Sequence, residues 1–276
     1  MKLWRLLICL AILLAFATSA LAEVPSWRCA GPYGGRIRAL ALSPQYAQDQ
    51  TLFAGTEAGL FTSADAGQTW QKAQGLPEGL TISSIVISPG FAQDHTLFIS
   101  TTQGGIFKSW DGGETWSFWS DGLSSLAVAQ MAISPHYSQD QTLLAATDRG
   151  FYKSQSAGKA WSAVGPRVTT LSVAVSPQGR GFIAYGGTVI GLYISNDSGQ
   201  SWEQSTLNGL PVIAIALSPN FVQDRTLLVG TLGGAYLSRD GGAHWEGPWL
   251  SDQVVHAVLF SPQYPNDSTL FLGADE

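Results

Sequence analysis

The sequence predicts an all-β chain folded as a β-propeller of about six four-stranded antiparallel blades, and three observations carry that expectation. An octapeptide of pattern S-x-D-x-G-x-T-W recurs along the 276 residues. A second motif, Ser-Pro followed by an aspartate and a Thr-Leu-Phe-like run, accompanies it at intervals of 42 to 46 residues, the range of one propeller blade. Between the two motifs, short apolar segments alternate with period two and are bounded by Gly or Pro, which leaves no window for a helix of useful length.

The octapeptide occurs at Ser63, Asp65, Gly67 and Trp70, at Ser109, Asp111, Gly113 and Trp116, at Ser195, Asp197, Gly199 and Trp202, and at Ser238, Asp240, Gly242 and Trp245. A fifth copy beginning at Ser154 keeps Gly158 and Trp161 but has lost its aspartate. Each residue type has a structural use. Ser and Asp side chains bond the backbone of their own turn, Gly admits positive φ, and Trp buries a large ring between neighbouring sheets. Calcium is disfavoured, because one carboxylate per blade cannot gather six or more oxygens around one ion.

The Ser-Pro motif starts at Ser43, Ser88, Ser134, Ser218 and Ser261, with Asp49, Asp94, Asp140, Asp224 and Asp267. A shortened copy at Ser176-Pro177 lacks the aspartate. Before each serine lies an alternating run with a narrow face of Ala and Ser, as an innermost strand near an axis requires, and the proline is expected to end it. Blade repeats are thus expected to start near residues 36, 81, 127, 169, 211 and 254. A short aromatic third strand follows, such as Gly59-Leu60-Phe61, and the octapeptide turns into the fourth.

The ends have their own reading. Residues 1–22 read as a secretory signal peptide: Lys2 and Arg5, an apolar run over residues 6–17, and an Ala20-Leu21-Ala22 cleavage site. Residues 23–276 then form the propeller. Trp27 lies at the spacing of an outer-strand tryptophan, so the last blade is expected to be shared between the termini. That blade lacks its third strand and octapeptide, which favours a fragment of a longer protein. Cys29 is the one cysteine after the leader, so no internal disulfide forms. A net charge of −6 without clustered Lys and Arg argues against nucleic acid. Export places the chain in the periplasm, outside the cell or on its surface, with no membrane span after cleavage.

The octapeptide resembles the Asp-box, or BNR repeat, of sialidase-like propellers. Its pairing with the Ser-Pro motif resembles bacterial BNR-repeat proteins and propeller-type photosystem II assembly factors. The resemblance implies the fold, and it implies enzymes, receptors and assembly factors alike. In sialidases the boxes lie on the face away from the active site, so the opposite loops are the ones to search. They hold Arg36, Arg38, Arg149 and Arg167, with Glu57, Glu78, Asp121 and Asp148, and the aromatic Tyr33, Trp119 and Trp249. Three arginines, Arg38, Arg149 and Arg167, assemble on paper as a sialidase carboxylate clamp, while Arg36-Ile37-Arg38 lacks the proline of that family's signature.

The histidines His95, His136, His244 and His256 fall in different repeats, and no metal site, cofactor or catalytic residue is assigned. The function expected is a non-catalytic binding or assembly scaffold for a protein or glycan, contacted through Tyr33, Arg38, Glu57, Arg149, Arg167 and Trp249. The alternatives are a secreted sialidase-like glycoside hydrolase and a repeat segment of a longer cell-surface protein.

Overall fold

The structure, a computed structural model, describes residues 31–275. The expected leader, residues 1–22, and Trp27, expected on the outer strand of the shared blade, lie outside the described residues. Five sheets have four antiparallel strands each, laid down in chain order from the inside outwards. The first is β1 (Ile37–Leu42), β2 (Leu52–Thr56), β3 (Gly59–Ser63) and β4 (Gln71–Lys72). The second is β5 (Ile82–Ile87), β6 (Leu97–Thr101), β7 (Ile106–Ser109) and β8 (Ser117–Phe118). The third is β9 (Val128–Ile133), β10 (Leu143–Thr147), β11 (Gly150–Ser154) and β12 (Ser162–Val164). The fourth is β13 (Thr170–Gln178), β14 (Gly181–Thr188), β15 (Gly191–Ser195) and β16 (Glu203–Asn208). The fifth is β17 (Val212–Leu217), β18 (Leu227–Thr231), β19 (Gly234–Ser238) and β20 (Glu246–Trp249). A sixth sheet has two strands among the described residues, β21 (Val255–Phe260) and β22 (Leu270–Ala274). Neighbouring blades pack through their inner strands, β1 on β5, β5 on β9, β9 on β13, β13 on β17 and β17 on β21. The chain is a β-propeller.

Two points differ from the sequence reading. Four Ser-Pro loops each contain one helical turn, α1 (Tyr46–Asp49), α2 (Phe91–Asp94), α3 (Tyr137–Asp140) and α4 (Phe221–Asp224). Four residues carry no 3.6-residue stripe, so periodicity could not reveal them. The aspartate locks each loop. Asp49 accepts the Ser43 hydroxyl at 2.5 Å and the Thr51 N–H at 2.9 Å, and Asp94, Asp140 and Asp224 repeat both bonds. In the fourth blade Pro177 does not end the strand. With the aspartate loop missing, β13 runs through Pro177, which pairs with Phe182 across a tight hairpin to β14.

The core lies between blades. Phe53 meets Phe91 of the next blade edge to face at 6.2 Å, Phe98 meets Tyr137 at 6.0 Å and Tyr185 meets Phe221 at 5.6 Å. Each pair adds about 0.5–1.5 kcal/mol beyond its area burial.

The octapeptide closes the outer hairpin. Asp65 accepts the Thr69 hydroxyl at 2.6 Å, the Thr69 N–H at 2.8 Å and the Ser63 hydroxyl at 2.7 Å, while Ser63 Oγ accepts the Gly67 N–H. Trp70 donates its indole N–H to the Gly67 carbonyl. In the copy without the aspartate, Ser156 Oγ takes over one bond by accepting the Ala160 N–H at 3.0 Å. The turn is also tied to the Ser-Pro loop. Ala66, Gly112, Ala157 and Gly241 donate their N–H to the carbonyls of Gln50, His95, Gln141 and Arg225, each a left-handed residue just after a helix.

These bonds hold the carboxylates in the charged form. Thr69, through its hydroxyl and then its N–H, brings Asp65 down from an ordinary 3.8 to about 2. For Asp111 and Asp197 partial burial pushes the other way, and donors led by Ser109 and Ser201 overcome it and give about 2. The His244 N–H and ring lower Asp240 further. A carboxyl depressed in the folded state stabilises it above the ordinary value and loses that contribution as pH falls towards the folded one. The Thr69, Thr115 and Ser201 amide resonances are therefore expected to shift on acidification with midpoints near 2, whereas Ala160, whose acceptor is a hydroxyl, shows no such step. Midpoints at about 4, the free carboxyl range, would contradict these bonds.

Candidate functional site

Antiparallel register divides the loops between two opposite faces. Leu52 pairs with Leu42 and Ser63, so the Ser-Pro loops and octapeptides share one face. Thr56 pairs with Ile37 and Gly59, so strand starts and the β2–β3 type of turn share the other. That second, loop face is built on a recurring threonine. Thr147 donates its hydroxyl to the Gly150 carbonyl at 2.8 Å and accepts the Arg149 N–H at 3.1 Å, and Thr56, Thr188 and Thr231 do the same in their blades. The frame is constant while the two residues it presents vary: Glu57-Ala58, Asp148-Arg149, Val189-Ile190 and Leu232-Gly233.

Among the described residues, the two larger concavities on this face are these. One is a cleft of about 700 Å³ between the third and fourth blades, lined by Asp148, Arg149 and Arg167 together with Ser124, Tyr152, Thr169 and Val189. Arg149 Nε lies 3.9 Å from Asp148, with both side chains well exposed, so the pair neutralises little of the arginine's field. Ser124 and the buried Tyr152 share a hydrogen bond of 2.5 Å at the cleft wall. Gly150 sets the approach of the second arginine. It has φ +114°, and a Cβ there would lie 2.7 Å from the Pro166 carbonyl and 3.5 Å from the Arg167 Cα.

The other concavity, about 390 Å³, is the central channel, lined by residues of all six inner strands, including Arg38, Ser83, Ala129, Leu171, Ile213 and His256. Arg38 pairs with Glu57 at 2.9 Å and His256 with Asp275 at 3.0 Å. The two pairs occupy the same place in their repeats. Both are exposed, and such pairs contribute little stability.

The sequence-derived residues therefore separate into groups. Arg149 and Arg167 share the cleft, and Arg38 and Glu57 pair at the channel. Arg38 does not line the cleft, so the three-arginine clamp drawn on paper reduces to two. Tyr33 is almost fully exposed beside the first blade, and Trp249 lies at the end of β20, its carbonyl against Gly234. Trp119 is engaged elsewhere, edge to face with Trp110 at 5.9 Å and 4.5 Å from the Lys108 ammonium, which burial lowers in pKa. Ser124, Tyr152 and Thr169 were missed. Tyr152 reads as a core aromatic of the third strand, and only the fold shows its hydroxyl reaching a loop. The His256–Asp275 pair was legible, since aligning the repeats sets it on Arg38 and Glu57. Among the described residues no group of three His, Cys, Asp or Glu side chains is poised to hold a metal.

Comparison with known proteins adds the fold. No protein-family model matches the chain, and no curated protein matches it. Solved structures do. An ancestral GH74 enzyme is similar over 77% of this chain and 31% of its own, with 19% identity and a TM-score of 0.63. The extracellular domain of a one-component system from B. thetaiotaomicron matches 87% of this chain and 33% of its own, with 14% identity and a TM-score of 0.67. The extracellular domain of a hybrid two-component system from the same organism covers 79% and 30%, with 16% identity and a TM-score of 0.60. The chain thus spans about a third of the length of these neighbours. At such identities the likeness is one of fold.

If Gly150 brings the Arg167 segment against the Arg149 turn, Gly150→Ala should cost about 1–3 kcal/mol, from the φ strain and the displaced carbonyl. Gly75 also has positive φ, but nothing lies within 4 Å of its Cβ direction, so Gly75→Ala should cost less. Urea unfolding of both variants checks this, and equal losses would remove the close approach from the account.

Proposed function

We propose that this chain is an exported, non-catalytic β-propeller that holds a glycan or protein partner in the cleft of Arg149 and Arg167. The observation that carries the reading is the cleft itself: two arginines on a rigid threonine-framed turn and an adjacent loop, with one weakly engaged carboxylate beside Arg149. Arginine offers a planar fork of donors that suits carboxylate, phosphate and sugar oxygens. The leader-like residues 1–22, the Asp-box resemblance and the extracellular neighbours all agree with a partner met outside the cytoplasm, whether in the periplasm, at the surface or beyond it. The resemblance to photosystem II assembly factors favours a protein partner, and the GH74 neighbour favours a glycan. Tyr33, Arg38, Glu57 and Trp249 then form a wider, secondary contact zone. Residues 23–276 act in this reading as one propeller, or as the propeller segment of a longer surface protein.

A second reading, a secreted glycoside hydrolase, is favoured by the GH74 likeness alone. Glycosidic hydrolysis commonly uses two carboxyl groups flanking the bond, and the cleft lining supplies one, Asp148.

The test is a glycan array and a panel of exported proteins probed with the purified chain. Arg149→Ala and Arg167→Ala are each expected to weaken a genuine hit about 10- to 100-fold, in line with a lost charged hydrogen bond. Lys159→Ala, on the octapeptide face, should leave it unchanged. Turnover of a fluorogenic sialoside or a β-glucan that Asp148→Asn abolishes would overturn the non-catalytic reading.

A further inference from the structure

Two tryptophans of the second blade stand where the fold does not require them. Trp110 holds the second position of its octapeptide, which Ala64, Gln155, Asn196 and Arg239 fill in the other copies. Trp119 lies three residues after the octapeptide tryptophan, where the other blades have Ala73, Val164, Ser205 and Pro248. The two rings meet edge to face at 5.9 Å, and Trp110 is 49% exposed. Small or polar residues serve the same turns elsewhere, so packing does not account for the pair.

The platform is held rigidly. Trp119 donates its N–H to the Ile106 carbonyl at 2.9 Å, and its own carbonyl accepts the Trp161 indole N–H of the third blade at 3.0 Å. The Trp161 backbone N–H bonds the Asp121 carbonyl at 2.8 Å, and a Cβ on Gly122 would lie 2.2 Å from the Trp161 carbonyl. With its backbone fixed in advance, the platform loses little freedom when a ligand arrives.

Beside the rings lies a cation short of anions. Lys108 Nζ is 4.5 Å from the Trp119 ring centre and 5.7 Å from that of Trp110. Its contact with the Ala157 carbonyl is 3.5 Å long, at the outer limit of a hydrogen bond. Among the described residues no carboxylate lies within 4 Å of it. The equivalent lysine of the third blade, Lys153, reaches towards the fourth octapeptide, where Asp197 helps to keep it charged. Lys108 reaches towards the third octapeptide, the copy in which Ser156 stands in place of the aspartate, and Asp94 of its own blade is left to support its charge. The repeat thus lacks a carboxylate at the junction where two tryptophans border the lysine.

We propose that Trp110, Trp119 and Lys108 bind an acidic glycan, with one sugar stacked on the exposed Trp110 ring and its carboxylate on the Lys108 ammonium. A sugar ring offers a C–H face to the indole and oxygens at its rim. The carboxylate supplies the anion that the third octapeptide lacks, through a charge-assisted hydrogen bond. An extended acidic peptide fits less well, because the outer strand β8 has two residues and gives no edge for strand addition. The site lies between the second and third blades, and it does not depend on the Arg149 and Arg167 cleft between the third and fourth.

The experiment is calorimetric titration of the whole chain with oligogalacturonate, its neutral methyl ester and polyglutamate. Oligogalacturonate should bind, and the methyl ester about 10-fold more weakly. Trp110→Ala and Lys108→Met should each weaken oligogalacturonate about 10-fold. Ser156→Asp, which returns a carboxylate to the facing octapeptide with both tryptophans in place, should weaken it as well. Circular dichroism of each variant separates lost binding from lost folding, and Trp110→Ala removes a ring that already faces solvent. Failure of oligogalacturonate to bind overturns the proposal, as does equal binding of the methyl ester or of polyglutamate. Binding that Arg149→Ala abolishes and Trp110→Ala leaves whole would place the glycan in the other cleft and overturn it too.

Discussion

Everything in this propeller depends on one repeated contact, a large side chain three residues before the threonine that ends the second strand, buried against the blade that follows. Phe53, Phe98 and Tyr185 make it with the aromatic ring that opens the next blade's helical turn. A glycine two residues further on, as at Gly55 and Gly230, lets the next inner strand press close. A blade has no core of its own. Its stability comes from the neighbour on each side, so the energetics are those of a nearest-neighbour array. Removing a buried Phe from such a contact costs about 3–5 kcal/mol, a large part of the total for an ordinary domain.

That contact divides the labour between the two faces. On one, the octapeptide and the Ser-Pro loop satisfy their backbones with their own Ser, Thr and Asp side chains, and further bonds such as Ala66 N–H to Gln50 carbonyl join the two motifs. On the other face the threonine frame spends one buried hydroxyl to fix a turn and leaves two positions free to vary. The free positions carry charge in the first and third blades and apolar groups in the fourth and fifth. The arginine cleft therefore arises from loop substitutions on a constant scaffold, as recognition surfaces of repeat folds commonly do.

Much of this architecture was legible in the residues. Period and strand order follow from spacing and alternation, and the face of the octapeptides from the Asp-box resemblance. The helical turns were not, because four residues locked by Asp49 or Asp94 carry no periodic signal. The long β13 was not either, since Pro177 in isolation reads as a terminator and only the missing aspartate loop lets the hairpin continue. Of the candidate site, the sequence supplied Arg149 and Arg167 but also an Arg38 that pairs with Glu57 on the channel. Which arginines share a cleft is a matter of blade neighbours and loop path, and Gly150 decides the second of these through a contact with Pro166 that no linear pattern contains. Tyr152 and Ser124 are 28 residues apart and meet only in the folded chain.

The most direct test of the repeated contact compares two phenylalanines that occupy one position of the repeat, Phe98 and Phe271. Each is replaced by Ala, and unfolding in urea is followed. The account predicts a loss of about 3–5 kcal/mol for Phe98→Ala, which empties a packed junction, and less than about 1 kcal/mol for Phe271→Ala, whose ring already faces solvent. Equal losses at the two positions would contradict it, because burial against the following blade would then not be what stabilises each blade.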